Sequence, residues 1–314
     1  MRKKVRKISK NLMFGVIAIL VTGMVIFVFS NPTLAPEMTQ PDIPKISPST
    51  NTQSGKTFDD SESKDIIGEG VKAESYLVID KNTGEVIASR NPKTPLAIAS
   101  ITKLMTAYVV QKYGNLNDIW AVTSSGTLNI NPVLGLKVGD RVKIEDLINS
   151  ILIGSANDAA ATLGVYITSL KKVPMEELMN SEAKRLGMTS THYENPIGFD
   201  SEQNYSSASD LLLLINETEK LPIFTKVDRK LQYSFVSENG QSYSVKATNK
   251  LLAGDPEIHA IKTGYTDEAK GAMITSVVHE QQNLIIIVLG SSNRENDTKL
   301  LKTRALKTLS EPNN

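Results

Sequence analysis

Three short strings stand in one order along the chain: Ser100-Ile-Thr-Lys103, Ser155-Ala-Asn157 and Lys262-Thr263-Gly264. Together they offer a serine nucleophile, a lysine base and a second cationic lysine, a set that needs no histidine. Each string alone is weak, because Ser-x-x-Lys recurs at Ser61, Ser169 and Ser181, and Ser-x-Asn at Ser49, Ser237 and Ser291. Local structure must separate the working copies from the others.

Ser100 falls where a helix should begin, after Pro95 and a few small apolar residues. At i and i+3 the two side chains share a helical face, so the Lys103 amine can reach the Ser100 hydroxyl. A lysine takes a serine proton only if burial or neighbouring positive charge lowers its pKa. Ile98, Ile101, Leu104 and Met105 are suited to desolvating the pair, Lys262 could add charge, and N–H groups at the helix start could face an oxyanion. The copies at Ser61, Ser169 and Ser181 lack this apolar setting and read as solvated pairs.

Ser155-Ala-Asn157 interrupts apolar residues on both sides, Leu147 to Ile153 and Ala159 to Leu163. A polar triplet between two buried helices needs partners, and a cleft supplies them. Ser155 reads as a proton relay and Asn157 as a hydrogen-bonding group for a substrate amide; the competing reading is that one of them caps the next helix. Lys262-Thr263-Gly264 follows Ile258 to Ile261 and so ends or lines a strand. A glycine there admits a ligand or another backbone. The lysine and the hydroxyl can then hold an anion, most simply a carboxylate.

The elements that must position these residues follow from pattern. Hairpins are predicted for Tyr76 to Asp80 with Glu85 to Ser89, for Leu231 to Ser237 with Gln241 to Ala247 around Asn239-Gly240, and for Ala272 to Val278 with Asn283 to Gly290. Helices are predicted for Ser100 to Gly114, Lys143 to Ile153, Ala156 to Leu170, Pro174 to Leu186 and Asn296 to Ser310. Strands at both ends with helices between them imply an α/β (α+β) fold: one antiparallel sheet, covered by helices, with an inserted helical lobe. The motifs would meet at the seam.

Arg2, Lys3, Lys4, Arg6, Lys7 and Lys10 precede an apolar run from Leu12 to Phe29. Its roughly 18 residues are long for a cleaved signal and near the minimum for a spanning helix. Pro36 after Thr33-Leu-Ala35 disfavours cleavage there. The reading is a cytoplasmic tip (1–11), a membrane anchor (12–29), a Pro/Ser/Thr-rich stalk (30–70) and an extracytoplasmic folded domain (71–314), secreted if the anchor is cut. Six of the 35 basic residues lie in the tip, leaving 29 against 34 acidic. That net of about −5 carries no footprint for nucleic acid. Cysteine is absent, which excludes thiol chemistry, and His192, His259 and His279 show no metal-ligand spacing. No metal and no cofactor is expected.

The motif set resembles that of the penicillin-recognising serine enzymes. Within them the chain is most similar to the D-alanyl-D-alanine carboxypeptidase family of low-molecular-mass penicillin-binding proteins. The likeness runs from about Glu74 to Leu309 and takes in Val78 to Ile87, Ala99 to Thr106, Ser155 to Ala160, Asn195-Pro-Ile-Gly-Phe-Asp200, Asn204 to Ser206, Thr248 to Leu252 and Gly264 to Thr266. The resemblance implies that Ser100 attacks the bond between two D-alanines of a cell-wall stem peptide and that Lys103 takes its proton. It implies that Ser155 passes a proton to the departing D-alanine, that Asn157 binds the substrate backbone, and that Lys262 and Thr263 hold the terminal carboxylate. The N–H groups of Ser100 and Tyr265 would form the oxyanion hole, and β-lactams would trap the same serine. Family members often carry a C-terminal β-rich domain and a C-terminal amphipathic helix. This chain ends about 24 residues after its last predicted strand, so anchoring would fall to Leu12–Phe29. A β-lactamase would need a water-activating carboxylate; Glu176-x-x-x-Asn180 has the spelling but sits in a helical pattern. An endopeptidase cutting cross-links, or a non-catalytic sensor, would use the same pocket.

Overall fold

The computed structural model describes residues 67–310. The N-terminal tip, anchor and most of the stalk expected above lie outside the described residues. Among the described residues no helix is long and apolar enough to cross a membrane.

Five antiparallel strands make the main sheet: β1 (Ser75–Asp80), β2 (Val86–Arg90), β9 (Ile258–Thr266), β10 (Lys270–His279) and β11 (Gln282–Ser291), in the order β2-β1-β11-β10-β9. Three two-stranded ribbons flank it: β3 (Leu96–Ala97) with β6 (Tyr205–Ser206), β4 (Ile119–Ala121) with β5 (Arg141–Lys143), and β7 (Gln232–Val236) with β8 (Ser242–Lys246). Between the first two and last three main strands run α1 (Lys103–Tyr113), α2 (Ile144–Ile153), α3 (Asn157–Lys171), α4 (Met175–Leu186), α5 (Ala208–Thr218) and the short α6 (Pro222–Thr225); α7 (Arg294–Ser310) closes the chain.

Period-2 alternation divides the sheet between two cores. Leu77, Ile79, Ala272, Ile274, Ile285 and Ile287 pack with the helical lobe, while Tyr76, Val78, Met273, Val277, Ile286 and Val288 pack with Leu301 and Ala305 of α7. Helices therefore cover both faces, which is why Leu284 to Leu289 reads as an unbroken apolar run.

The three predicted hairpins and five predicted helices are present, with shifted ends. Ser100 lies in a 3₁₀ turn, Ala99–Thr102, and the α-helix proper begins at Lys103. Lys262 to Gly264 stand inside a nine-residue strand, not at its end. α5 is an addition to the predicted helices; Ser207 caps it by accepting from the Asp210 N–H. Glu176 and Asn180 fall within the regular helix α4, and Asn180 exchanges hydrogen bonds with the backbone of Tyr193.

Candidate active site

β9 is an edge strand, and the 3₁₀ turn carrying Ser100 lies against it. Gly264 permits this contact: a Cβ there would stand 2.8 Å from Ile98 O and 3.0 Å from Ser100 N. Any side chain would push the strand off the nucleophile's backbone. Gly198 also packs on this turn, where a Cβ would meet Ala99 O at 2.0 Å.

Lys103 is fully buried at the start of α1. Its Nζ lies 2.8 Å from Ser100 Oγ, 2.8 Å from Asn157 Oδ1 and 2.5 Å from Ile197 O. Burial lowers its pKa from 10.5 to about 7. A neutral amine has two N–H donors and one lone pair. Asn157 Oδ1 and Ile197 O can only accept, so they take the two hydrogens, and the lone pair is left for the one partner able to donate, Ser100 Oγ. That is the arrangement a general base requires.

Ser155 sits between α2 and α3 in left-handed backbone, φ +59°, and its hydroxyl accepts from Lys262 Nζ at 2.8 Å. Lys262 also donates to Thr263 O at 2.7 Å. Burial holds its pKa well below the usual lysine range, and the positive charges of Lys103 and Arg294 push the same way. Lys103, Lys262 and Arg294 therefore converge on one seam, where an entering anion would be favoured.

Neither Ser155 nor Asn157 caps α3; the cap position belongs to Ala156 and has no side-chain bond. Asn157 instead spends its amide within the protein, accepting from Lys103 and donating to Ile130 O at 2.8 Å. A substrate amide would have to share it. Thr263 Oγ1 lies 2.6 Å from Thr248 Oγ1, and the Tyr265 side chain is 65% exposed. Tyr265 can therefore serve this seam through its backbone.

The structure brings Ser100, Lys103, Ser155, Asn157, Lys262, Thr263 and Gly264 together. Two further groups join them, Arg294 and Ile197. Arg294 Nη1 donates to Gly264 O at 2.5 Å from the first residue of α7, and no motif signals it. Ile197 contributes only a carbonyl, which no residue type reports.

The fold, with this serine–lysine seam, is of the penicillin-binding-protein and β-lactamase type. The crystal structure of the Streptomyces K15 DD-transpeptidase superposes with a TM-score of 0.70 at 25% identity, covering 76% of this chain and 98% of that one. The family model described as D-alanyl-D-alanine carboxypeptidase matches residues 60–293, and the chain belongs to that family. It is 31% identical to the D-alanyl-D-alanine carboxypeptidase DacA of Escherichia coli K12 over 74% of this chain and 60% of the relative. It is 33% identical to a D-alanyl-D-alanine endopeptidase of Pseudomonas aeruginosa over 68% of this chain and 70% of the relative. The chain spans about 60% of the length of the curated carboxypeptidases DacF and DacA.

Proposed function

We propose that the chain is a serine-type D-Ala-D-Ala carboxypeptidase that removes the terminal D-alanine from peptidoglycan stem peptides through an acyl-enzyme on Ser100. The observation that carries this reading is the buried Lys103 amine, 2.8 Å from Ser100 Oγ and held there by Asn157 Oδ1 and Ile197 O.

Ser100 Oγ attacks the carbonyl carbon between the two D-alanines while its proton passes to Lys103. The N–H groups of Ser100 and Tyr265 face the developing oxyanion. The carbon–nitrogen bond breaks, and the departing amine takes a proton through Ser155, which is linked to Lys262. Lys262 and Thr263 hold the terminal carboxylate, and Asn157 orients Lys103 while sharing its amide with the substrate backbone. Water then hydrolyses the ester and restores Ser100. A β-lactam acylates the same oxygen. The apolar run Leu12–Phe29 supports a tether that holds this domain outside the cytoplasmic membrane.

The endopeptidase relative supports a second reading, cleavage of D-alanyl cross-links at the same site. Mass spectrometry of digested cell-wall fragments separates them: loss of one D-alanine from pentapeptide stems supports the carboxypeptidase, and cleaved dimers with intact stems sink it. Intact-mass analysis with penicillin tests the nucleophile. Wild type should gain one drug mass and Ser100→Ala none; rapid release of that adduct would point to a β-lactamase instead.

A further inference from the structure

One of the three contacts on Lys103 comes from outside the three serine- and lysine-bearing strings. Ile197 O belongs to the turn Asn195–Phe199, which is organised around a single atom: Asn195 Oδ1 accepts from the N–H groups of Ile197 (3.1 Å), Gly198 (2.7 Å) and Phe199 (3.1 Å). Three N–H groups converging on one amide oxygen curl the chain about that side chain, as an extended Asx turn does. The turn is fastened to α1, the helix of Lys103, by Thr106 Oγ1, which donates to Pro196 O at 2.6 Å. Gly198, at φ +87°, sets it against the backbone of Ala99 and Ser100.

We propose that Asn195 is a positioning residue for the Ser100–Lys103 pair: it shapes the turn whose Ile197 carbonyl fixes the direction of the Lys103 lone pair. The inference rests on the reading of Lys103 as the base. Without Ile197 O, one N–H of the neutral amine loses its acceptor, and the amine turns among orientations of which only some offer the lone pair to Ser100. The carbonyl also solvates the ammonium formed when the serine proton arrives, so its loss lowers the proton affinity of Lys103. The charged group coupled to Lys103 is Lys262 on β9; from α3 and from the turn it meets the uncharged Asn157 and Ile197.

The test is stopped-flow acylation of the full chain by a fluorescent penicillin across about pH 5.5 to 9, read as a first-order constant on the molecules that react. Wild type, Asn195→Ala and Asn195→Asp are compared, with Lys103→Ala as control. Asn195→Ala should acylate roughly 10- to 100-fold more slowly. Its acid limb, near pH 7 in wild type, should move to lower pH. Asn195→Asp, whose carboxylate accepts the same three N–H groups, should recover most of the rate. A wild-type constant in Asn195→Ala, or a slower one with its acid limb unmoved or moved to higher pH, overturns the proposal. Should Asn195→Ala not fold, Asn195→Ser takes its place, because its shorter hydroxyl cannot span the three donors. Lys103→Ala acylating as fast as wild type would overturn the base assignment itself, a different result from any given by Asn195.

Discussion

Lys262 Nζ donates to Ser155 Oγ at 2.8 Å and so ties the edge strand to the loop between α2 and α3. Both residues are buried. Ser155 holds a left-handed backbone conformation, a strain on the order of 1–3 kcal/mol for a residue with a Cβ. The contact repeats, across the seam, the spacing between Lys103 and Ser100, which is also 2.8 Å. Two hydroxyls each backed by a buried amine give one place where a proton can be taken and one from which it can be given.

If the second pair acts as a unit, removing either member should cost nearly as much as removing both. Ser155→Ala should lower kcat on a peptide ending in D-Ala-D-Ala by about 10²–10⁴. Adding Lys262→Met to that variant should lower it by less than about tenfold more. A double-mutant cycle on kcat checks this, and fully additive losses would show that the two side chains work separately.

Lys103 is competent as a base only when neutral. With burial holding its pKa at about 7, acylation by penicillin should rise with pH and reach half its plateau near pH 7. Lys103→Arg keeps a positive charge at every working pH and should lose acylation by more than about 10². Rates unchanged by pH, or an arginine variant that still acylates rapidly, would remove Lys103 from the proton path.

The part of this site legible in the sequence is the part written in side-chain types. Ser100 and Lys103 stood out because i, i+3 spacing at a helix start with apolar neighbours has a direct physical meaning, and the structure places them 2.8 Å apart. The main sheet was legible through the apolar runs of its hairpins and the turn residues that join them. The β3–β6 ribbon was not, because two-residue strands leave no period to read. Ile197 was hidden for a different reason: its contribution is a backbone carbonyl, identical in every residue. Arg294 follows β11 in a charged first turn with Glu295 and Asp297, where nothing in the pattern marks it, and only the packing of α7 against the sheet brings it to Gly264.

Gly264 offers a steric test. In Gly264→Ala the new methyl would lie 2.8 Å from Ile98 O and 3.0 Å from Ser100 N, both backbone atoms that cannot swing aside. The edge strand should shift outward, leaving the rest of the sheet paired, at a cost of about 1–3 kcal/mol in stability. Acylation should fall by roughly 10²-fold, because the nucleophile and the anion-holding strand lose register. Thermal melts and penicillin labelling measured together check it: a large loss of Tm with normal labelling of the folded fraction would contradict the assignment.

Burial of Lys103 also leaves a mark on stability. Its folded pKa of about 7 lies below the unfolded value of 10.5, so across that window the unfolded chain holds a proton that the folded chain has released. Unfolding then takes up a proton, and stability rises with pH by at most about 1.4 kcal/mol per pH unit from this one group. Lys262, shifted in the same direction, adds a slope of the same sign. Lys103→Met keeps most of the side-chain volume but strands Asn157 Oδ1 and Ile197 O, at a cost of about 1–3 kcal/mol. That cost lowers Tm at every pH and leaves the slope alone. The expected outcome is a Tm that climbs less steeply between about pH 7.5 and 9.5 in Lys103→Met than in wild type. Parallel Tm curves for the two proteins would mean that Lys103 keeps its proton in the folded state and cannot take one from Ser100.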